Sequence, residues 1–94
     1  MIMTILEGNV TTRNSRALLR EYQKTIKKLP SEIIKTYLVR NTTHTDLWRI
    51  ITIWHSKEDL EAMRKQGTPK GVLIFRAAGC EPILSIFQIE EQSR

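Results

Sequence analysis

The sequence is poor in several residue types that define whole classes of protein. Its single cysteine, Cys80, excludes an internal disulfide and a metal site built from several cysteines. It has no apolar run near the length of about 20 residues that a membrane-spanning helix needs. The 94 residues are too few for a doubly wound nucleotide-binding fold. We therefore expect one domain, residues 1–94, without a membrane partner.

The overall composition is that of an ordinary globular protein. Hydrophobic residues make up 40% of the chain and charged residues 27%, which argues against disordered and collagen-like classes. The formal net charge is +5, which raises the question of an acidic partner. The first residues carry no basic group ahead of their apolar stretch, and Glu7 interrupts that stretch. We therefore expect no signal peptide and a cytoplasmic location.

The spacing of apolar residues predicts four strands and two helical regions. Short runs rich in β-branched residues predict strands at 1–10, 32–40, 47–54 and 82–91. Helical spacing predicts a first helix over 13–29, stopped by Pro30. A second helical region starts at the cap Ser56, breaks at 67–69 and ends at Gly79. This order, β-α-β-β-α-β, predicts an α+β ferredoxin-like fold with an antiparallel four-stranded sheet.

The strands are apolar on both faces, which has a consequence for assembly. In the third strand Trp48, Ile50 and Trp54 alternate with Ile51 and Ile53. Helices cover only one face of such a sheet, and a large exposed apolar patch marks an interaction surface. We therefore expect a homodimer with two sheets packed face to face. The alternative is a monomer with some exposed apolar residues, which are common individually.

Order and spacing along nearly the whole chain give a resemblance to a known family. The third strand ends at Trp54 and runs into the capped helix start 56–60, the second helix is broken, and 79–82 precede an apolar last strand. In these features the chain resembles the antibiotic biosynthesis monooxygenases, which are dimeric α+β barrels. The resemblance implies a homodimer and a cofactor-independent monooxygenase without metal or flavin. Its substrate would be a small aromatic or quinol-type compound that itself donates an electron to oxygen.

The haem-degrading branch of that family fits less well. That branch uses an asparagine on the first strand, a tryptophan on the second helix and a histidine further along. Asn9 matches the first of these, but Met63 stands where the tryptophan would be, and no histidine follows His55. The resemblance therefore does not extend to haem degradation.

Five residues are candidates for the functional site, each with a simpler structural role. Trp54, Met63 and Phe75 suit the wall of a substrate pocket between sheet and helices, and suit the core equally well. Asn9 could hold a substrate carbonyl or superoxide, but asparagine is also a common turn residue at strand ends. His55 could act as a general base, or could be an exposed loop histidine.

Two other function classes remain open. One is a non-catalytic protein that binds a small hydrophobic ligand or regulates another protein, because some members of the family have no known reaction. The other is a nucleic-acid-binding module that uses the basic residues of the first helix, which run Arg13, Arg16, Arg20, Lys24 and Lys27. RNA-binding modules of ferredoxin-like order carry a glycine-rich and aromatic-rich third strand, and residues 47–54 have no such glycines. We therefore do not expect nucleic acid as a partner.

Overall fold

The computed structural model describes all 94 residues and places three α-helices on one face of a four-stranded sheet. Its elements in chain order are β1 (Ile2–Asn9), α1 (Ser15–Thr25) with a following 3-10 turn (Ile26–Lys28), β2 (Ile33–Arg40), β3 (Leu47–Trp54), α2 (Lys57–Lys65), α3 (Lys70–Ala77) and β4 (Ile83–Gln88). None of the helices is long and apolar enough to cross a bilayer.

The sheet confirms the predicted fold class. Its strand order is β2-β3-β1-β4, and every neighbouring pair is antiparallel. The connection from β1 to β2 contains α1, and the connection from β3 to β4 contains α2 and α3. Each connection crosses over one strand in the same sense, so both helical regions lie on the same face.

Alternate residues of the central strands form the core against these helices. Leu6 of β1 and Ile50 of β3 are almost fully buried beneath Leu18 of α1 and Phe75 of α3, both of which have no exposed surface. Burying a side chain of this size stabilises the fold by about 1.5–3 kcal/mol. Gly71 lets α3 approach the sheet closely, since a Cβ there would lie 2.5 Å from Leu6 Cδ1.

The second helical region breaks where the sequence indicated. The Ser56 side chain accepts a hydrogen bond from the Asp59 N–H at 3.1 Å and caps α2. Gly67 then has a φ of 128°, which an L-residue with a side chain rarely adopts. Pro69 is the cap of α3, which begins at Lys70.

Two element ends also differ from the predicted bounds. The first helix begins at Ser15 and not at residue 13, because residues 12–14 form turns. Its last turn tightens to 3-10 geometry over Ile26–Lys28 before Pro30. The last strand ends at Gln88 and not at residue 91, although the Ile89 N–H still donates to the Met1 carbonyl at 3.0 Å.

The face of the sheet opposite the helices is open and largely apolar. Its outer positions are well exposed in the single chain: Ile83 by 71%, Phe87 by 52% and Tyr37 by 46%. Its central positions are partly exposed isoleucines: Ile5, Ile51 and Ile53. The Glu7–Arg49 ion pair lies across β1 and β3 on the same face.

Candidate functional site

A cavity of about 220 Å³ lies between the sheet and the helices. Its floor comes from all four strands, and its walls come from the end of α1, from α2 and from α3. Apart from Leu84 of β4, the exposed lining residues belong to two segments, namely 26–29 after α1 and 64–70 at the junction of α2 and α3. We take the space between these two segments as the mouth of the cavity.

The cavity can hold an aromatic ring system. A dry cavity of about 150 Å³ in another protein binds benzene, and this one is larger. Most of its exposed lining atoms are apolar, and the apolar lining residues include Ile26, Leu60, Met63, Val72 and Ile74. A flat hydrophobic molecule of one or two rings therefore suits the space.

Three threonines form a polar row across the floor of the cavity. Thr36 of β2 pairs with Thr52 of β3, and Thr52 pairs with Thr4 of β1. Cross-strand partners project to the same face of a sheet, so the three side chains stand side by side. Thr4 and Thr52 are more than 90% buried, and all three line the cavity.

Two aromatic side chains complete the hydrogen bonds of this row. The Tyr22 hydroxyl, from α1, donates to Thr36 Oγ1 at 3.5 Å, and the Thr36 and Thr52 hydroxyls share a bond of 3.2 Å. The Trp54 indole N–H donates to Thr4 Oγ1 at 3.0 Å. Two hydrogen-bonded groups, Tyr22–Thr36–Thr52 and Trp54–Thr4, therefore stand side by side on the floor of the cavity.

A count of protons shows what the row offers to a ligand. The hydroxyls of Thr4, Thr36, Thr52 and Tyr22 carry four protons, because each supplies one donor. Two of these protons are used inside the row, one from Tyr22 and one between Thr36 and Thr52. The Thr4 hydroxyl takes part only as the acceptor of the Trp54 indole N–H, so its own proton is unused. Two hydroxyl donors, that of Thr4 and one of the Thr36–Thr52 pair, are therefore available to an oxygen atom inside the cavity.

The charged residues of the lining are all basic. Lys28 lies on one side of the mouth, and Arg64 and Lys70 lie on the other. Arg64 has a carboxylate partner, Glu61, at 3.5 Å, but Lys28 and Lys70 have none within 4.0 Å. No aspartate, glutamate or histidine lines the cavity.

Known structures share this fold over almost their full length. No family model and no curated protein matches the sequence. A protein from Deinococcus radiodurans assigned to antibiotic biosynthesis monooxygenases matches 100% of this chain and 97% of its own, with a TM-score of 0.71 and 8% identity. SnoaB, a cofactor-independent oxygenase from Streptomyces nogalater, matches 97% of this chain and 94% of its own, with a TM-score of 0.66 and 10% identity. The chain has the fold of the antibiotic biosynthesis monooxygenases. The resemblance inferred from residue order is thus confirmed at the level of fold.

Other solved structures with this fold include a porphyrin complex and a protein of unknown function. A variant of MhuD with two manganese protoporphyrin IX molecules bound per active site has a TM-score of 0.75 and 12% identity. It matches 100% of this chain and 99% of its own. A protein of unknown function from Bacteroides thetaiotaomicron also matches, with a TM-score of 0.71 and 20% identity. At such identities the comparisons show the fold alone, and the chemistry has to be argued from the cavity.

The structure separates the five candidate residues into two groups. Trp54 and Met63 line the cavity. Phe75 is fully buried beside Gly8 and Cys80, away from the cavity. Asn9 is exposed and follows the alternation of β1 onto the open face of the sheet. His55 is exposed after β3, and its backbone N–H donates to the Glu32 carbonyl at 3.2 Å.

The remaining titratable and orphaned groups lie outside the cavity. Burial raises the pKa of the Cys80 thiol, and the Asn9 backbone N–H opposes this. The Arg76 guanidinium forms two hydrogen bonds with the Glu81 carboxylate, at 2.8 and 2.9 Å, and lowers its pKa. The Trp48 indole nitrogen is buried without a hydrogen-bond partner. No group of three or more histidine, cysteine, aspartate or glutamate side chains could hold a metal ion.

Proposed function

We propose that the protein is a cofactor-independent monooxygenase that acts on a small aromatic or quinol-type compound bound in the cavity. The observation that carries the proposal is the pair of free hydroxyl donors on the floor of an apolar cavity. Hydrogen-bond donors that are fixed in a dry site stabilise a developing negative charge far better than water does. The free donors of Thr4 and of the Thr36–Thr52 pair are positioned to stabilise the anion of a phenolic or enolic substrate oxygen.

The reaction needs only substrate and dioxygen. The substrate anion transfers one electron to dioxygen, and the two resulting radicals combine at a carbon next to the ring. Overall, a CH₂ group and O₂ give a carbonyl group and water, so that the substrate supplies all four electrons. The protein would bind the anion, hold the ring between apolar walls and exclude water.

Oxygen uptake with a panel of hydroquinones and anthrone-type compounds tests this function. Thr52→Val removes one hydroxyl and keeps the shape, so we expect uptake to fall by at least about tenfold, the lower end of the effect of a hydrogen bond to a charged group. Thr42→Val is the matched control, because Thr42 is exposed in the loop after β2. Absence of uptake with every compound, or an equal fall in the control, would refute the proposal.

The roles of Asn9 and His55 stay predictions that the same assay decides. If either acts in catalysis, Asn9→Ala or His55→Ala lowers oxygen uptake as strongly as Thr52→Val. Wild-type uptake in both variants would remove them from the mechanism. Substrate-pocket roles for Trp54 and Met63 are supported by their place in the lining, whereas Phe75 would act only by shaping the core.

One feature favours a second function, the non-catalytic binding of a small ligand. No carboxylate or imidazole lines the cavity to take up the substrate proton near neutral pH. The absence of an imidazole also gives a haem iron no histidine ligand in this cavity. Calorimetric binding of a ring compound that is recovered unchanged, without oxygen uptake, would establish this function and exclude the first.

We further propose that two copies pack through the open faces of their sheets. A monomer of 11.0 kDa is expected to have about 5,600 Å² of accessible surface, whereas this chain has 6668 Å². The excess of roughly 1,100 Å² is larger than the roughly 800 Å² per partner that a standard interface buries. The isoleucines at the centre of the open face and the exposed Phe87 and Ile83 give that surface the apolar character of a homodimer interface.

Light scattering at micromolar concentration measures the assembly directly. Phe87→Glu places a charge on the open face without disturbing the helix side, so we expect a folded monomer. Leu19→Glu on α1 introduces the same change at an exposed position away from the open face and should leave the dimer intact. A monomeric wild-type protein would refute this assembly.

Cytoplasmic location also stays a prediction, for cell fractionation to test.

A further inference from the structure

The mouth of the cavity carries positive charge from two separate elements. Lys28 ends the 3-10 turn after α1, and Lys70 begins α3. Both side chains line the cavity, one on each side of the mouth. Neither has a carboxylate within 4.0 Å. An entering ligand would therefore pass between two unpaired ammonium groups.

A second depression outside the mouth extends the same charge. It shares Lys28 and Lys70 with the cavity and adds Lys24 and Lys27. Its single carboxylate, Glu21, is already paired with Lys24 at 3.6 Å. The surface in front of the cavity thus combines three ammonium groups that have no carboxylate partner.

Such an arrangement favours a bound anion. Like charges that share a concave site repel one another, and an anion placed between them converts the repulsion into attraction. A cleft with apolar walls also strengthens this effect, because field lines are focused through the surrounding solvent. The residues deeper in the cavity contribute no negative charge that would cancel it.

The chemistry of the site changes from the mouth to the floor. The mouth presents ammonium groups, the walls are apolar, and the floor presents hydroxyl donors from Thr4 and from the Thr36–Thr52 pair. We propose that the ligand is an amphipathic anion, with a carboxylate or similar acidic group between Lys28 and Lys70. Its body is a one- or two-ring apolar skeleton, and an oxygen acceptor at the far end meets the threonine row. This inference rests on the proposed function, because it defines the class of compound that the same cavity takes.

A pair of probes that differ only in charge tests the inference. Naphthalene-2-carboxylate and naphthalene-2-carboxamide share the ring skeleton and differ in the charge of one substituent. We expect the carboxylate to bind several-fold more tightly in calorimetric titrations. Its affinity should also fall as salt is raised, since exposed charges are screened. The affinity of the neutral amide should not depend on salt.

Charge-removing variants locate the effect. Lys28→Gln and Lys70→Gln should each weaken carboxylate binding by up to about fivefold, the range of an exposed ion pair, and the double variant should bring it to the level of the amide. Amide binding should stay unchanged in all three. Lys57→Gln is the matched control, because this substitution changes the net charge equally. Lys57 lies on α2, outside both the cavity and the depression in front of it.

Each outcome separates this inference from the proposed function. Equal affinities for the two probes, or an equal loss in Lys57→Gln, would overturn the anion site and leave the ligand cavity standing. Failure of both probes to bind the wild-type protein would overturn the anion site and the proposed function together. Selective loss of carboxylate binding in the Lys28 and Lys70 variants would establish the site.

Discussion

The hydrogen bond between Trp54 and Thr4 gives the sharpest test of how the cavity is built. Thr4→Val keeps the shape of the side chain and removes the acceptor of the Trp54 indole N–H, which lies 3.0 Å away. Both residues are more than 90% buried, so water has little access to the freed donor. A buried donor left without a partner costs about 1–3 kcal/mol. The added methyl group offsets about 0.8 kcal/mol of that cost.

We therefore expect Thr4→Val to lower the free energy of unfolding by about 0.2–2.2 kcal/mol, which lowers Tm by about 4–8 °C per kcal/mol in a domain of this size. Urea denaturation measures the loss. The chain has two tryptophans, and the indole of Trp48 has no partner, so the two indole N–H signals in an NMR spectrum should differ. The Trp54 signal should shift in Thr4→Val, while the Trp48 signal stays in place.

A double-mutant comparison refines the test. In Trp54→Phe the donor is already absent, so adding Thr4→Val to that background should cost much less than it does in the wild-type protein. Unchanged stability in Thr4→Val, together with an unmoved Trp54 indole signal, would show that the bond is not formed. The argument that the threonine row has a free donor at Thr4 would then fail as well.

Two further predictions concern the region beside Phe75. Gly8→Ala should destabilise the protein by about 1–3 kcal/mol through overpacking, because a Cβ there would overlap Cys80 Sγ and lie 3.2 Å from the Phe75 ring. Cys80→Ala should relieve much of that cost in a urea denaturation series, and equal costs in both backgrounds would contradict the contact. Since burial raises the pKa of the Cys80 thiol, the folded state holds the proton more tightly than the unfolded state. The stability that the protonated Cys80 thiol contributes is full below the pKa of an unfolded cysteine. It is lost as pH rises through the raised pKa of the folded state. Alkylation of Cys80 by iodoacetamide should accordingly reach half of its maximal rate at a higher pH than in the unfolded chain, and an equal or lower midpoint would contradict the burial.

The order of elements was predictable because local signals mark each of them. Ser56, three residues before Asp59, defines the start of α2, and in the structure the Asp59 N–H donates a hydrogen bond to Ser56 Oγ. Gly67 and Pro69 mark the break before α3. Helix and strand ends were less predictable, because the sequence alone does not show that residues 12–14 form turns before α1 begins.

The cavity was predictable only in part. Trp54 follows from the alternation of β3, but the threonine row depends on the register of three strands, which the sequence does not contain. A register shift between Ile33 and Lys35 adds a further difficulty, because it brings Ile33 and Thr36 to the same face although they are three residues apart. Tyr22 reaches Thr36 from α1, a contact that no local pattern indicates.

Asn9 and Phe75 show where simple counting would have helped. Asn9 is an odd number of residues from Leu6, so the period of two directs it to the face opposite the core. Phe75 is one residue, about 100° of helix, from Ile74, which lines the cavity. This rotation directs Phe75 away from the cavity and toward Gly8 of β1.

The alternation of β3 connects the two surfaces that the proposals use. Thr52 faces the cavity, while its neighbours Ile51 and Ile53 face the open side of the sheet. A slip of one residue would exchange these faces, placing isoleucines under the helices and a hydroxyl and two indoles on the outer side. The register is therefore constrained from both faces at once. Because adjacent residues serve opposite faces, a substitution can alter assembly without altering ligand binding. A variant of the open face that lost both properties would indicate that the second copy itself contributes to the site.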